Sequence, residues 1–208
     1  MALSNYSELK QSIIAWSFRN DMDLLIDDFI LLAETEMFNN SFTNLEVKGQ
    51  ETTDTTLTTT ARIVALPTNY QSMRSIRLSL NSFGSEIRFR APEQMIRSDT
   101  TGRPVYFTIV GNNIEFDRAP DALYEIEIKY YASPTALSST NATNTVLTNN
   151  PNIYLFGSLW ALYTHAVDEV EAQKYYTRFI GAIKGANKQS KSGRYGPAPA
   201  MRIEGSTP

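Results

Sequence analysis

The sequence predicts an α+β fold with helices at both ends of the chain and an antiparallel β region between them. Three observations lead to this prediction. Apolar residues recur at helical spacing near the N-terminus and again after residue 150, whereas apolar and polar residues alternate over residues 42–133. With 208 residues, the chain is also long enough to bury a core without disulfide bonds.

Two amphipathic helices are predicted near the N-terminus. The first spans residues 7–18, and the polar residues Ser4–Ser7 supply its N-cap. The second begins at Asn20-Asp21 and ends near Asn39-Asn40. Neighbouring and i,i+2 carboxylates on a helix point in different directions, so they do not form a catalytic pair by local geometry. We therefore assign the acids of the second helix to a solvated face: Asp27, Asp28, Glu34 and Glu36.

The middle zone predicts strands separated by turns. Residues 75–80 and 124–130 alternate between apolar and polar side chains, as half-buried antiparallel strands do. Gly111-Asn112 suits a tight hairpin turn because both residues tolerate positive φ. Pro92 opens a short helical turn. The threonine-rich residues 51–60 are predicted to form an exposed hairpin tip or an edge strand rather than a binding site.

Two further helices are predicted in the C-terminal zone. Asn150 caps the first and Pro151 takes its first helical position. The second starts at Asp168, where residues 168–171 fit the capping-box pattern. The connection is so short that the two helices must fold back as an antiparallel hairpin. His165 lies in the last turn of the first helix, where the helix dipole favours it, and we assign it a structural role.

The composition excludes several classes of chemistry. The chain has no cysteine and one histidine, so it offers no disulfide, no thiolate nucleophile and no Cys-based metal site. It contains no phosphate-binding loop, nucleophile elbow or His-Glu-x-x-His motif. No stretch approaches the ~20 consecutive apolar residues of a membrane-spanning helix. We therefore expect no enzyme activity, no cofactor, no metal and no membrane association.

Charge is distributed unevenly along the chain. Residues 1–60 hold ten acids and three bases, whereas residues 172–208 hold seven bases and one acid. A chain with opposite poles can dock head to tail with its own copies or onto an acidic partner. The alternative is two unrelated solvated faces, and the charge pattern leaves both open.

Seven segments, taken together in their order and spacing, point to a known family. They are Leu66–Tyr70, Arg74–Leu78, Gly102–Phe116, Ala119–Asp121, Ile126–Ala132, Leu137–Asn144 and Asn150–Leu159. Over about residues 20–188 the chain resembles the head-to-tail adaptor proteins of tailed bacteriophages. The threonine-rich 51–60 stretch has no counterpart in this resemblance, and the basic tail after Lys188 is of a kind that varies.

The resemblance implies a helical bundle from the N- and C-terminal helices, with the antiparallel β domain inserted. From periodicity and composition together with this resemblance, we predict four domains: residues 1–41 for the N-terminal helices, 42–133 for the β domain, 134–188 for a linker and the C-terminal helical hairpin, and 189–208 for an extended basic tail.

The resemblance also implies a function. Such proteins are structural components of the virion neck, assembled in the host cytoplasm as a dodecameric ring beneath the portal protein. The ring extends the DNA channel, lets DNA pass without sequence-specific binding, and provides a docking platform for a tail or nozzle protein. No cofactor is needed.

We predict that the basic C-terminal tail contacts the portal. The tail from about Gln189 to Pro208 is expected to be disordered in the free subunit and to order along the portal. The predicted interface residues are Lys188, Lys191, Arg194, Tyr195 and Arg202.

A second function remains open: a virion carbohydrate-binding or tail-fibre-type β module. The chain has 11 tyrosines, and a sheet that displays tyrosines can stack sugars. Tyrosine is also common in cores and protein interfaces, and we favour that interpretation.

Overall fold

A computed structural model describes residues 3–39, 43–80 and 83–195. Helices and largely antiparallel sheets occur together, which confirms the predicted α+β class. The chain separates into two compact units. The helical unit comprises Met1–Gly49 and Pro134–Pro208, and the β unit comprises Gln50–Ser133. In sequence, the β unit is therefore inserted between the two halves of the helical unit.

The described residues contain five α-helices, all in the helical unit. Their bounds are α1 Tyr6–Ser17, α2 Ile26–Asn39, α3 Thr145–Asn149, α4 Pro151–His165 and α5 Glu169–Tyr195. Three short 3-10 turns accompany them along the chain, at Asn20–Leu25, Lys48–Gln50 and Pro92–Gln94. The last of these confirms the turn predicted at Pro92.

Two predicted helix starts are confirmed by their capping contacts. The side chain of Asn5 accepts a hydrogen bond from the Glu8 backbone N–H, with 3.0 Å between nitrogen and oxygen. Glu8 accepts one in return from the Ser4 N–H at 2.9 Å. At the start of α5, the Asp168 carboxylate accepts from the Glu171 N–H at 3.2 Å. These bonds satisfy backbone donors that have no partner inside a helix.

Two other helix starts differ from the prediction. Asn20–Leu25 form a 3-10 turn, so α2 begins at Ile26 rather than at Asn20-Asp21. Asn150 takes the N-cap position of α4, but its side chain makes no capping hydrogen bond. A capping side chain is found instead at Asn144, which accepts from the Leu147 N–H at 2.9 Å and starts the unpredicted helix α3.

The helices α4 and α5 form the predicted antiparallel hairpin. Trp160 contacts Tyr176 and Tyr163 stacks on Tyr175, with the ring centroids 5.4 Å apart in both pairs. A residue later in α4 contacts a residue earlier in α5, as antiparallel packing requires. The turn between the helices holds Val167 in the left-handed region, with φ at 58°.

The helix α4 lies against both α2 and α5 at Gly157. A Cβ atom at this position would lie 2.9 Å from the Ala33 Cβ and 2.9 Å from a ring carbon of Phe179. Because real Cβ atoms do not approach so closely, glycine is required here for the three helices to meet. The fully buried side chains of this core include Leu9, Ile13, Ile26, Met37, Leu45, Ile153, Tyr154, Leu159, Leu162 and Ile183.

The described residues 43–49 belong to the helical unit, although the prediction assigned them to the β domain. Leu45 and Val47 are buried in the helical core, and the Leu45 N–H donates to the Met37 carbonyl at 3.0 Å. The alternation of apolar and polar residues over 45–48 is typical of a strand, but packing against the helices decides their position.

The helix α5 extends to Tyr195, although an extended tail was predicted from residue 189. Ala186 and Ser190 are buried on its inner side. These tertiary contacts stabilise the helix through a stretch whose polar and glycine residues favour disorder. Residues 196–208 of the predicted tail lie outside the described residues.

The described part of the β unit contains eight strands. Their bounds are β1 Glu51–Thr59, β2 Ile63–Ala65, β3 Tyr70–Leu80, β4 Phe83–Glu86, β5 Arg88–Phe89, β6 Tyr106–Val110, β7 Asn113–Phe116 and β8 Tyr124–Ala132. They form two four-stranded sheets, in the orders β1-β8-β3-β4 and β2-β7-β6-β5.

Strand register agrees with the hydrophobic pattern. In the first sheet Ile76 lies opposite Ile128, and Leu78 lies opposite Ile126. In the second, β6 and β7 form the predicted hairpin around Gly111, whose φ is 58°. One pairing differs from the predicted antiparallel domain, because β5 pairs in parallel with β6. Apolar residues of both sheets share one core, which includes Phe107, Ile114 and Phe116.

The threonine-rich segment forms β1, which lies at the edge of the first sheet. It pairs with β8 through a register from Glu51 to Thr59, with a bulge between Asp54 and Leu57. This finding confirms the predicted edge strand. A bulge twists an exposed edge strand and so helps to keep it from pairing with other chains.

Candidate interaction surfaces

Of the five predicted interface residues, Lys188 and Lys191 have described side chains. Both are exposed on α5 and, three residues apart, they lie on one face of the helix. The backbones of Arg194 and Tyr195 belong to the last turn of α5, but their side chains are not described. Arg202 lies outside the described residues.

A groove with a volume of about 550 Å³ runs beside this part of α5. Side-chain hydrogen bonds hold its other wall in place. The Lys48 N–H donates to the Ser190 hydroxyl at 2.7 Å, and the Glu46 N–H donates to the Asn187 side-chain oxygen at 2.8 Å. The groove is lined by Val47, Lys48, Gly49, Asn149, Asn150, Ala186, Gln189, Ser190 and Gly193.

The groove was missed by the sequence analysis. A third of its lining residues are Val47, Lys48 and Gly49, which are distant from α5 in sequence. The polar residues Asn187 and Ser190 on α5 were a possible signal, because they interrupt an apolar stripe at helical spacing. Each of them hydrogen-bonds to the 44–48 segment.

Acidic side chains are exposed on α2. Asp27 and Asp28 both lie on the solvated side, which confirms their predicted location. A nitrogen-to-oxygen distance of 2.7 Å joins Lys10 to Asp27. The hydrogen bond from Lys10 lowers the pKa of Asp27, since it stabilises the charged carboxylate.

Glu34 is buried, with 7% of its surface exposed, so its predicted location on the solvated face is wrong. One of its carboxylate oxygens accepts hydrogen bonds from the Leu137 N–H at 2.9 Å and from the Tyr154 hydroxyl at 2.8 Å. Asn144 in turn donates to the Tyr154 hydroxyl at 2.7 Å. A sequence signal existed, because Glu34 follows the buried Ile30 by four residues and therefore shares its helix face.

The environment of Glu34 changes its protonation equilibrium. Burial raises the pKa of the Glu34 carboxyl, and its two hydrogen bonds only partly oppose this effect. Burial also raises the pKa of Tyr154, and the nearby charge of Glu34 adds to the increase. The group joins α2, the 134–144 linker and α4. Its partners are a backbone N–H and a core tyrosine, so we assign it a structural role.

Glu36, the carboxylate two residues after Glu34, is half-buried. It accepts a hydrogen bond from the Tyr176 hydroxyl at 3.1 Å, which links α2 to α5. Glu34 and Glu36 therefore engage different partners, as the i,i+2 spacing predicted.

Most described tyrosines serve the two cores. Tyr124, Tyr130, Tyr154 and Tyr175 are all buried. Three of these hydroxyls donate to internal partners: Tyr124 to Asp121 at 2.9 Å, Tyr130 to Asn69 at 3.0 Å and Tyr154 to Glu34 at 2.8 Å. The structure thus favours the core interpretation of the tyrosines over a sugar-stacking sheet.

His165 lies in the last turn of α4, as predicted, with its ring centroid 5.6 Å from that of Phe29. Over the described residues, no three His, Cys, Asp or Glu side chains are grouped to hold a metal ion. No helix in this part of the chain is both long and apolar enough to cross a bilayer.

Comparison with known families identifies the family of the chain. A family model described as SU10 adaptor protein matches residues 4–202, which is nearly the whole sequence. A comparison with curated proteins finds no match. The match covers both units of the fold and agrees with the resemblance to head-to-tail adaptors noted in the sequence. The chain therefore belongs to the SU10 adaptor protein family.

Proposed function

We propose that this protein is a structural virion protein, a bacteriophage head-to-tail adaptor that forms a ring beneath the portal. The observation that carries the proposal is the family match over residues 4–202. In this proposal the ring is dodecameric, extends the DNA channel without sequence-specific binding, and provides the docking platform for a tail or nozzle protein. The protein resides in the virion neck after assembly in the host cytoplasm. In this proposal the protein binds its neighbours and holds them in position, and it catalyses no reaction.

The separation of charge supports an assembly role. Residues 1–60 are rich in acids and residues 172–208 are rich in bases. A ring subunit meets its two neighbours through different surfaces, and opposite charges on these surfaces favour association over dispersal.

The portal-binding part of the proposal concerns the C-terminal end of α5. Lys188 and Lys191 are exposed beside the groove at Lys48 and Ser190. We assign portal contact to these lysines together with Arg194, Tyr195 and Arg202. Electrostatic attraction by such bases raises the association rate with an acidic partner.

Electron microscopy of the purified chain, with and without its portal protein, tests the proposed function. We expect rings stacked coaxially on the portal. A chain that remains a monomer and ignores the portal contradicts the proposal. Binding to a glycan array without portal affinity supports the carbohydrate-binding alternative instead.

The double variant Lys188→Glu/Lys191→Glu tests the portal interface. We expect its affinity for the portal to fall about tenfold or more at low salt, while its fold is unchanged because both side chains are exposed. Arg88→Glu, which reverses an exposed base of the β unit, is the control. Equal portal affinity in both variants contradicts the assignment.

A further inference from the structure

The outer side of α2 is an apolar face that nothing in the described chain covers. Leu31 is 56% exposed and Leu32 is 51% exposed. Asp28 and Thr35 are exposed beside them, at helical spacing. We call Asp28, Leu31, Leu32 and Thr35 the leucine face. Two adjacent exposed leucines on a regular helix mark a contact surface more strongly than scattered apolar residues do.

This face belongs to a uniformly acidic stretch. Residues 20–39 contain six acids and no base. Asp28 has no ion-pair partner among the described residues, whereas its neighbour Asp27 is bonded to Lys10. A partner for the leucine face should therefore be basic and should accommodate two leucine side chains.

The outer side of α5 has these properties. Gly181 and Gly185, four residues apart, are exposed in the interior of this long helix. A Cβ added at either position would meet no atom within 4 Å, in contrast to Gly157, where it would clash. Each glycine makes the helix about 1 kcal/mol less stable than alanine would. The packing of the free subunit does not explain why either residue is glycine.

The same stretch of α5 is uniformly basic. Residues 172–191 contain five bases and no acid. Lys184 is exposed between the two glycines, and Thr177 precedes Gly181 by one turn on the same side. We call Thr177, Gly181, Lys184 and Gly185 the glycine face. It combines positive charge with an indentation in the helix surface.

We propose that the leucine face of one copy packs against the glycine face of a second copy. Leu31 and Leu32 would fill the space above Gly181 and Gly185, and Asp28 would lie near Lys184. The occupant of the leucine face is thus another copy of this chain, because that chain itself carries a surface of opposite charge and matching shape. The inference rests on the proposed ring and identifies the surfaces that build it.

The two faces are different, so the contact is heterologous. Such a contact uses one face on each partner and leaves the other free for a further copy. Repetition therefore produces a closed ring or an open filament, and never stops at a symmetric dimer. This property allows a decisive mixing experiment.

Two variants, each disabled on one face, test the proposal. Leu31→Gln/Leu32→Gln disables the leucine face, and Gly181→Leu/Gly185→Leu disables the glycine face. We expect each variant alone to self-associate about tenfold or more weakly than the natural chain, as measured by sedimentation velocity. Mixed together, they should form a one-to-one dimer and nothing larger, because each contributes one intact face.

Folding controls accompany these variants. All four altered residues are exposed, and leucine is a better helix former than glycine, so thermal unfolding of Gly181→Leu/Gly185→Leu should shift upward. Gln11→Leu, at an exposed position on α1 outside both faces, is the matched control and should assemble normally.

Charge reversal gives an independent test of the same contact. Asp28→Lys and Lys184→Glu should each weaken assembly, and the double variant should recover it because the attraction is restored with opposite sign. If the natural chain assembles and the leucine-face and glycine-face variants do so equally well, the proposed contact is wrong while the ring stands. A natural chain that forms no oligomer, alone or on the portal, contradicts both proposals.

Discussion

At the scale of single residues, Glu34 shows how a polar side chain can organise a core. It lies on the buried face of α2 and binds the Leu137 N–H and the Tyr154 hydroxyl. A buried carboxylate is unfavourable unless hydrogen bonds satisfy it. Glu34 is so satisfied, and its bonds attach the linker that returns from the β unit to the helical unit.

Glu34 makes stability depend on pH. Because burial raises its pKa in the folded chain, ionisation is less favourable in the folded than in the unfolded state. Its contribution to stability is therefore fully present below the unfolded pKa of ~4.3 and declines as pH rises through the folded pKa. Glu34→Gln cannot ionise, and its side-chain oxygen can accept the same two hydrogen bonds. We expect this variant to gain stability relative to the natural chain between pH 4 and pH 7.

Urea unfolding at several pH values measures this difference. Glu34→Ala is the comparison, because it leaves the Leu137 N–H and the Tyr154 hydroxyl without their acceptor and should be destabilised by about 2 kcal/mol or more. A constant difference between Glu34→Gln and the natural chain across this pH range would refute the assignment.

Gly157 provides a second residue-scale prediction. Gly157→Ala places a methyl group 2.9 Å from Ala33 and Phe179, so α2 or α5 must move. We expect a loss of about 1–3 kcal/mol from overpacking. Gly181→Ala, where the added methyl meets open space, should instead gain up to about 1 kcal/mol. Chemical denaturation of both variants measures the contrast, and equal effects would contradict the packing argument.

At the scale of elements, the turn between α4 and α5 combines a strong helix start with an unfavourable residue. Asp168 caps α5 by accepting from the Glu171 N–H. The preceding Val167 adopts φ 58° and is 81% exposed. A β-branched residue in the left-handed region is strained. Because the Val167 side chain is exposed, its packing contacts offset little of that strain.

Val167→Asn should therefore stabilise the helical unit by about 0.5–1 kcal/mol, because asparagine tolerates the left-handed region far better than valine. The measurement is the shift in the midpoint of thermal unfolding. Val170→Asn, at an equally exposed position with helical backbone, serves as the control and should bring no gain. If both variants behave alike, strain at Val167 is not the cause.

At the scale of the whole molecule, the chain has two hydrophobic cores that share no residue. The β unit begins and ends on adjacent strands, since Glu51 in β1 pairs with Tyr131 in β8. An insertion with neighbouring ends and its own core meets the requirements of an independent folding unit.

A chain cut to residues 50–133 should accordingly fold alone, with a cooperative unfolding transition. Circular dichroism during urea titration tests this expectation. Ile126→Asp in the same fragment, which places a charge at a fully buried position, should abolish the transition. A gradual, non-cooperative loss of signal from the unaltered fragment would show that the β unit depends on the helices.

The proposed assembly also belongs to this scale. The leucine face and the glycine face lie on separate helices of the helical unit, and the family match describes an adaptor. Two exposed leucines and two exposed helix glycines are unfavourable in a single copy. A contact between them across a subunit boundary explains both.

The sequence by itself determined the α+β class, the starts of α1 and α5, the hairpin at Gly111 and the separation of charge. These features follow from local rules, because caps, turns and hydrophobic periodicity act over a few residues. The order and spacing of such segments also sufficed to identify the adaptor resemblance, which the family match over residues 4–202 confirms.

Only the tertiary structure decided the burial of Glu34, the docking of residues 43–49 on the helices and the extension of α5 to Tyr195. In each case the partner is far away in sequence. Glu34 meets Leu137 and Tyr154, and Lys48 meets Ser190, across more than a hundred intervening residues. Local periodicity carries no information about such partners, so the groove and the interhelical contacts emerge only when the chain is folded.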